Sequence, residues 1–368
     1  MYKNFPKMNM GRFSEQYKHL SLVPMHATNP QPFTQNELEK IIAQDFNEII
    51  KNVNLGFSAD EGTEVLRLSI AKNLYANIKA EDIITHAGAQ EALYCAFNAL
   101  LKPLDKVLVI SPVYEPLYQV PINIGCEVNT IHLDHSTNWS LDLNQVEKQF
   151  KLGCRLFIIN FPHNPSGATI TENQLFNIIQ LCDKYGVWLL SDEVFRGLEH
   201  KPSFKLPAVA DLYDKGISIG VISKAFAVPG LRIGWLVSQH KKLRDKVIDI
   251  KGYLSICNSQ IDELLTSVIL EKADALLDRN LGIIRTNKIQ MAKIEQIFNQ
   301  DVDIRIPNVG CCVFVQLLSS LSADEFVKNI AEQYGYLLYP QSLFNTQVNG
   351  FRMGFGNNSF NKFYTDSR

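Results

Sequence analysis

A lysine stands beside one of the most apolar segments of the chain, where a solvated charge is unexpected. Lys224 follows Val221-Ile222-Ser223 and precedes Ala225-Phe226. Partial burial lowers the pKa of a lysine and makes its amine a nucleophile that can form a Schiff base. Arg232 follows eight positions later, behind a Pro-Gly turn, and can offer its guanidinium to a phosphate. The segment therefore predicts imine chemistry next to an anion site.

An acidic residue also follows an apolar run. Asp192 comes directly after Val187-Trp188-Leu189-Leu190-Ser191. We expect its carboxylate to lie deep and to need a cationic partner, because burying an unpaired charge is costly. Two interpretations stay open: the carboxylate caps a turn, or it holds the protonated ring nitrogen of a cofactor.

Two loops at strand ends complete the candidate chemistry. Residues 160–167 contain two prolines and a glycine after an apolar strand, which favours a rigid ligand-binding loop as much as a plain turn. Within this loop Asn164 can offer its amide to a ligand oxygen. Gly88-Ala89-Gln90 marks a strand turning into a helix, whose first N–H groups would suit a phosphate. Ordinary turn chemistry is the better explanation of that glycine when it is taken alone.

These residues need a scaffold that brings strand ends together. Between about residues 82 and 240, short apolar runs alternate with helical patterns, which is typical of a parallel sheet covered on both faces. The predicted strands are 82–86, 106–111, 127–133, 155–161, 187–191, 217–222 and 232–237, and the predicted helices are 89–101 and 171–185. We therefore predict an α/β fold, with a large domain over residues 45–255 built on a mostly parallel seven-stranded sheet.

After residue 240 the alternation of short apolar strands with helices gives way to long, more polar helical patterns. The patterns predict helices over 241–253, 262–298 and 323–334, and strands over 311–317 and 351–355. This part indicates a smaller α+β domain, formed by residues 256–368 together with the amino-terminal segment 1–44.

Composition excludes several classes of function. The 368 residues carry 36 Lys and Arg against 38 Asp and Glu, so a basic field for nucleic acid is not expected. The seven cysteines show no C-x-x-C pair, which favours reduced thiols over disulfides or a zinc site. His86 and His163 have no second ligand at metal spacing. No segment reads as a signal peptide or a membrane span, so we predict a cytoplasmic protein with no metal.

Taken together and in order, these motifs resemble the fold type I enzymes that use pyridoxal 5'-phosphate (PLP). The order is Asn164-Pro165-x-Gly, Asp192-Glu193-x-aromatic, Ser223-Lys224 with Arg232 eight positions on, and a late Arg352. The resemblance is to the class I/II aminotransferases, which are aspartate-aminotransferase-like, and it runs from about residue 57 to residue 352. Short sequence motifs such as Phe195-Arg196-Gly197 resemble those of a branch that includes capreomycidine-synthase-like enzymes, which act on arginine derivatives.

The resemblance implies a role for each motif residue. Lys224 would carry the Schiff base and move protons, and Asp192 would keep the pyridine nitrogen protonated. Arg352 would clamp the substrate carboxylate, and Asn29 lies in a segment that would cross the mouth of the site. The other implied cofactor contacts are Phe57, Ala89, Gln90, Tyr114 stacked on the ring, Asn164 on the phenolic oxygen, Phe195, Ser223 and Arg232.

Three positions depart from the family pattern, and each loses a hydroxyl group. Phe195 stands where a tyrosine usually contacts the phenolic oxygen of the cofactor. Phe57 stands where a tyrosine often reaches the phosphate of the neighbouring subunit, and Val221 replaces a common phosphate-binding serine. These departures leave PLP binding in place but argue against an ordinary, fast transaminase.

The predicted activity is transfer of an α-amino group between an amino acid and a 2-oxo acid. The alternative is a PLP-dependent lyase, cyclase or oxidase that acts on an amino acid, for example an arginine derivative, with the same residues. Because fold type I sites lie at a subunit interface, the resemblance also implies a homodimer.

Overall fold

A seven-stranded sheet forms the centre of the larger part of the molecule. The computed structural model describes residues 8–291, 293, 294, 298 and 301–366, with side chains as far as residue 362. The strands of this sheet are β1 Ile83–His86, β2 Lys106–Ser111, β3 Glu127–His132, β4 Cys154–Ile159, β5 Trp188–Asp192, β6 Gly216–Val221 and β7 Gly234–Val237. Their spatial order is β1-β7-β6-β5-β4-β2-β3, and only β7 runs antiparallel to its neighbours.

Helices cover both faces of this sheet. The described α-helices are α1 Asn9–Gln16, α2 Gln35–Ile42, α3 Phe46–Ile50, α4 Glu64–Leu74, α5 Ala89–Leu100, α6 Glu115–Ile124, α7 Leu143–Lys151, α8 Glu172–Tyr185, α9 Val209–Leu212, α10 Lys241–Lys251, α11 Gln260–Leu270, α12 Ala273–Met291, α13 Ala323–Tyr334 and α14 Ser359–Asp366. Strands β5 and β6 are buried along their whole length, as expected for inner strands of a parallel sheet. No helix in the described part of the chain is long and apolar enough to cross a membrane.

A second, smaller sheet follows in the carboxyl-terminal part. Strands β8 Val302–Ile304, β9 Cys312–Leu317, β10 Tyr339–Pro340 and β11 Gly350–Gly354 pair antiparallel in the order β10-β11-β9-β8. The amino-terminal segment packs here through a bridge between Val23 and Tyr336. The predicted combination of a large parallel sheet and a small α+β unit is confirmed, whereas the residue limits proposed for the two domains stay predictions.

The single long helix predicted over residues 262–298 is wrong. The chain turns at Glu271 and Lys272, which separate α11 from α12. The carboxylate of Glu271 accepts hydrogen bonds from Lys72, Asn73 and Ser69 of α4, at 2.7, 3.0 and 3.3 Å. These bonds join the turn after α11 to α4.

Topology explains why the predicted motifs meet. The parallel strands β4, β5 and β6 end at the same edge of the sheet, and the chain leaves them into residues 160–164, at Asp192 and into Ser223-Lys224. Ligands of open α/β sheets bind at this carboxyl edge. The order of the strands therefore places an amide, a carboxylate and an amine side by side.

Candidate active site

A cavity of about 460 Å³ lies at the carboxyl edge of the large sheet. It is large enough for a cofactor-sized ligand. Of the predicted site residues, it is lined by Asn29, Ala89, Gln90, Tyr114, Asn164, Asp192, Phe195, Ser223, Lys224, Arg232 and Arg352. Phe57 lies elsewhere, with its side chain 86% exposed, and its predicted contact with a partner subunit stays a prediction.

Lys224 presents its amine to this cavity from the turn after β6. Its Nζ donates a hydrogen bond to Oγ1 of Thr28, 2.9 Å away. Burial lowers the pKa of Lys224, and the nearby charge of Arg352 lowers it further. A larger share of the amine is therefore unprotonated at neutral pH, as a nucleophile or a base requires.

Asp192 ends β5 and is only 4% exposed. Its main-chain oxygen accepts a hydrogen bond from Nδ2 of Asn160 at 2.7 Å, and its Oδ1 accepts one from the N–H of Val194 at 3.3 Å. Burial raises the pKa of this carboxyl to about 7. A carboxylate so placed favours a cation beside it, and the protonated ring nitrogen of PLP is such a cation.

Arg352 is a buried guanidinium whose bonds in the described structure go to neutral oxygen atoms. Its Nη1 donates to Oδ1 of Asn164 at 2.8 Å, and its Nη2 donates to the main-chain oxygen of His26 at 2.9 Å. Its Nε is buried without a partner. The rings of Tyr339 and Phe344 each lie 5.1 Å from the guanidinium carbon. An anionic group, such as a substrate carboxylate, is the partner that this charge lacks.

The start of α5 forms a cradle for an anion. Gly88 adopts a positive φ of 90°, and a Cβ atom there would lie 2.6 Å from Nη2 of Arg232. A Cβ atom on Gly234 would likewise lie 2.5 Å from the nitrogen of Ala89. The N-cap residue of α5 is Gly88, which has no side chain to cap the first N–H groups of the helix. Two glycines thus bring an arginine and a helix start together, and this arrangement fits a phosphate group.

Tyr114 contributes an aromatic wall to the cavity, its stacking on the cofactor ring stays a prediction, and two of the departures from the family pattern line the same cavity. The hydroxyl of Tyr114 donates to Oε1 of Gln90 at 3.4 Å, and burial raises its pKa to about 12. Phe195 and Val221 are buried and line the cavity with apolar surface. The residues present therefore fit PLP: an amine, a carboxylate, an amide, a ring wall and an anion cradle surround one space.

Sequence reasoning missed three residues that hold these groups in place. They are Thr28, which receives the Lys224 hydrogen bond, and His26 and Tyr339, whose rings stack at 3.9 Å beside Arg352. The sequence feature that could have indicated Thr28 and His26 is Gly354, two positions after Arg352. A Cβ atom on Gly354 would lie 1.8 Å from the oxygen of Ala27, so only glycine allows the segment 25–29 to lie against β11.

The family follows from comparison with known proteins. Residues 32–359 match the family model described as aminotransferase class I and II. The chain belongs to this family. It is 30% identical over 295 residues to a capreomycidine synthase of Streptomyces vinaceus, covering 80% of this chain and 75% of the relative. It is 28% identical over 343 residues to an arginine–pyruvate transaminase of Pseudomonas aeruginosa, covering 87% and 80%.

Solved structures show the same fold. A PLP-dependent aminotransferase from Streptococcus suis superposes with a TM-score of 0.90 at 24% identity, covering 99% of this chain and 97% of that one. The predicted resemblance, the α/β fold, the PLP cofactor and the enzyme class, an aminotransferase, are thereby confirmed. The roles of single residues are proposals, which follow from the geometry above.

The cradle predicts that PLP affinity is sensitive to a single methyl group added at Gly88. Gly88→Ala should weaken PLP binding by about tenfold or more, because the new Cβ atom displaces Arg232 and one charge-assisted hydrogen bond contributes about 1.5–3 kcal/mol. Gly153→Ala is the matched control, since Gly153 also has a positive φ, 88°, and a Cβ atom there meets no described atom within 4 Å. Absorbance titration of the cofactor-free variants with PLP measures both. Equal affinity in the two variants would contradict the assignment of the cradle.

Asp192 predicts a pH dependence of stability in the cofactor-free protein. Its pKa is raised from an ordinary 3.8 to about 7, so in this pH range the native state binds a proton that the unfolded chain releases. Stability falls with rising pH wherever the native state binds more protons. The free energy of unfolding of the wild type should therefore drop, relative to that of Asp192→Asn, as pH rises from about 4 to about 7. Urea unfolding at several pH values measures this difference, and a constant difference would refute it.

Proposed function

We propose that Lys224, Asp192 and Arg352 carry out the transfer of an α-amino group between an amino acid and a 2-oxo acid. The observation that supports this most is their joint presence around one cavity, each buried or part-buried and each hydrogen-bonded to neutral described groups. An amine, an acid and a carboxylate-binding cation are the groups that this reaction needs in one place.

When bound, PLP supplies an electron-withdrawing ring that stabilises negative charge at the α-carbon of the amino acid. Arg352 binds the substrate carboxylate, and its bonds to Asn164 and His26 fix the plane of the guanidinium before the substrate arrives. Once the substrate amine has displaced it from the cofactor, the Nζ of Lys224 would be free to take the proton from the α-carbon and to return it to the cofactor. Its lowered pKa favours the neutral amine that this requires. Asp192 would hold a proton on the ring nitrogen of the cofactor.

The hydrogen bond between Arg352 and Asn164 also decides how Asn164 is used. Its Oδ1 accepts from Nη1 of Arg352, so its Nδ2 group is the one left to donate to the phenolic oxygen of the cofactor. Phe195 offers no hydroxyl group, and Asn164 is accordingly the donor that we propose for this oxygen. In this proposal Arg352 binds the substrate carboxylate and Asn164 binds the cofactor oxygen, and the two side chains already contact each other.

The alternative predicted from the sequence, a lyase, cyclase or oxidase with the same site, receives less support from the comparisons. The name of the Streptomyces vinaceus relative, capreomycidine synthase, is the observation in its favour. The two reactions differ in what remains on the enzyme. After incubation with one amino acid and no 2-oxo acid, an aminotransferase leaves pyridoxamine phosphate, which chromatography of the denatured protein detects, whereas a lyase leaves PLP.

Lys224 is tested directly by finding where the cofactor is attached. Borohydride reduction of the PLP-loaded enzyme, followed by peptide mass mapping, should place the cofactor on Lys224. Lys224→Ala should lower turnover by about 10²–10⁴-fold or more, since it removes the base as well as the attachment point of the cofactor. Lys251→Gln is the control, because Lys251 is fully buried but donates to the main chain at Asp60. Attachment at another lysine, or turnover retained by Lys224→Ala, would refute the proposal.

A homodimer is part of the same proposal. Three large apolar side chains are almost fully exposed: Leu55 at 80%, Phe57 at 86% and Tyr253 at 93%. Their two loops are tied together, because Nε2 of Gln260 donates to the main-chain oxygen of Gly56 at 2.9 Å. Exposed apolar patches of this kind mark interfaces, and a second copy of the chain is the occupant that we propose.

Charge placed on this patch should break the dimer. The double variant Phe57→Lys, Tyr253→Glu should sediment as a monomer, whereas the wild type sediments as a dimer. Ile289→Lys adds a charge at another exposed apolar residue, 71% exposed, and should stay dimeric. A monomeric wild type would exclude the dimer. A double variant that stays dimeric would show that the interface lies elsewhere.

We also propose a cytoplasmic location. All seven cysteines are free, and Cys95, Cys182, Cys311 and Cys312 are buried. Free thiols in this number suit a reducing compartment.

A further inference from the structure

Helix α12 carries two asparagines on its buried face. The buried residues of this helix fall mostly three or four positions apart, as on one face of a helix, and they are Ala273, Leu276, Asn280, Leu281, Ile284, Asn287 and Met291. Asn280 and Asn287 are about two helical turns apart, and both are 0% exposed. A buried amide costs free energy unless it is hydrogen-bonded, so each of these side chains must have partners that an apolar residue could not bind.

Asn280 donates to the loop that carries Lys224. Its Nδ2 donates a hydrogen bond to the main-chain oxygen of Ala225, 2.8 Å away. Ala225 directly follows Lys224, and the same loop contains Ala227, whose φ of 54° lies in the left-handed region. A residue other than glycine keeps such a conformation only where its surroundings hold it. The bond from Asn280 is therefore one of the contacts that fix the main chain beside Lys224.

The oxygen of the same amide is connected to the segment that holds the Lys224 amine. Oδ1 of Asn280 accepts a hydrogen bond from Nη1 of Arg279 at 3.0 Å, and this Nη1 also donates to the main-chain oxygen of Gln31. Gln31 lies three positions after Thr28, whose Oγ1 accepts from Nζ of Lys224 at 2.9 Å. One buried amide thus joins the main chain next to Lys224 to the segment that binds its amine.

Arg279 can make this connection because its guanidinium is itself held in place. Its central carbon lies 4.1 Å from the centre of the Phe33 ring, and its Nη2 lies 3.6 Å from Oε1 of Glu37. Phe33 and Glu37 follow Gln31 closely in the chain. Arg279 therefore joins α12 to the amino-terminal segment at three points.

Asn287 offers a matched comparison, because it has the same side chain and the same burial but binds another loop. Its Nδ2 donates to the main-chain oxygens of Phe355 and Asn357, both at 2.9 Å. Neither of these residues belongs to the loop after β6 that carries Lys224. A comparison of Asn280 with Asn287 therefore separates the effect of losing any buried asparagine of α12 from an effect on Lys224.

We propose that Asn280 is a positioning residue for Lys224: it holds the main chain next to Lys224 and, through Arg279, the segment that binds its amine. This inference rests on the proposed amino-group transfer, in which Lys224 carries the cofactor and moves the proton. The lysine side chain has four rotatable carbons, and attachment at both of its ends limits the positions that its amine can take. A displacement of about 1 Å can slow a reaction by about 10²-fold, so a held amine reacts faster than a mobile one.

The attachment of PLP to the cofactor-free protein measures this role without any turnover. In this step the amine of Lys224 replaces the aldehyde oxygen of PLP, which leaves as water. Stopped-flow absorbance at several PLP concentrations gives a limiting rate and a half-saturating concentration. Asn280→Ala should lower the limiting rate by about tenfold or more and leave the half-saturating concentration within about twofold, because the anion cradle is untouched. Asn287→Ala should change neither value by more than about twofold.

Urea unfolding shows whether the two variants are otherwise comparable. Both should be less stable than the wild type, because each leaves main-chain oxygens without their buried donor. Arg279→Met is a second variant at a half-buried residue, and it keeps the bond from Asn280 to Ala225. It should lower the limiting rate by about threefold or more, since the segment that contains Thr28 loses its connection to α12. Arg285→Met removes an exposed guanidinium from the same helix and should have no effect.

The following results would overturn the proposal. They are a limiting rate that is unchanged in Asn280→Ala and Arg279→Met, or one that Asn287→Ala lowers as much as Asn280→Ala does. If Asn280→Ala does not fold, the rate measured for Arg279→Met decides alone. The proposed function fails by a different measurement, namely when the wild type forms no pyridoxamine phosphate from any amino acid. Unchanged attachment rates in the variants of a wild type that does form it overturn the role of Asn280 only.

Discussion

A buried guanidinium without an acidic partner is the constraint on which the site depends. Arg352 is 4% exposed, and the described oxygen atoms that it contacts belong to an amide and a main-chain carbonyl. Taking a charge out of water costs several kcal/mol unless hydrogen bonds and an opposite charge compensate. The ring faces of Tyr339 and Phe344 and two neutral oxygens supply part of this compensation, and a carboxylate supplies the rest. The free energy stored in this arrangement selects for a ligand that carries a carboxylate.

Lys224 and Asp192 are subject to the same cost of burial. Burial lowers the pKa of Lys224, the charge of Arg352 lowers it further, and burial raises the pKa of Asp192 to about 7. Each group is thus shifted towards its neutral form in the cofactor-free protein. The apolar surface of Phe195 and Val221 keeps the local dielectric low and strengthens these effects. The charges of the cofactor and the substrate would compensate the buried charges of these three groups. Binding of the ligands would therefore also stabilise the charged forms of the protein side chains.

The central part of the fold and of the site was predictable from the sequence, for a physical reason. Asn164, Asp192 and Lys224 each follow a buried strand, and parallel strands bring their carboxyl ends to one edge, so local pattern sufficed. Thr28 and His26 were not predictable in this way. Their hydrogen bonds to Lys224 and Arg352 span 196 and 326 positions of sequence and depend on how the amino-terminal segment packs against Gly354. The turn at Glu271 and Lys272 was missed because no glycine or proline marks it in the sequence.

The close approach of Gly88, Arg232 and Gly234 has a consequence for biosynthesis. The anion cradle joins the first strand of the large sheet to its last one, since β1 pairs with β7. A chain that leaves the ribosome from its amino end therefore has no cradle until about residue 237 has emerged, and the whole parallel core precedes it. Arg352 emerges more than one hundred residues later. The residues that form the cradle are thus all present in the growing chain more than one hundred positions before the residue that we propose binds the substrate carboxylate.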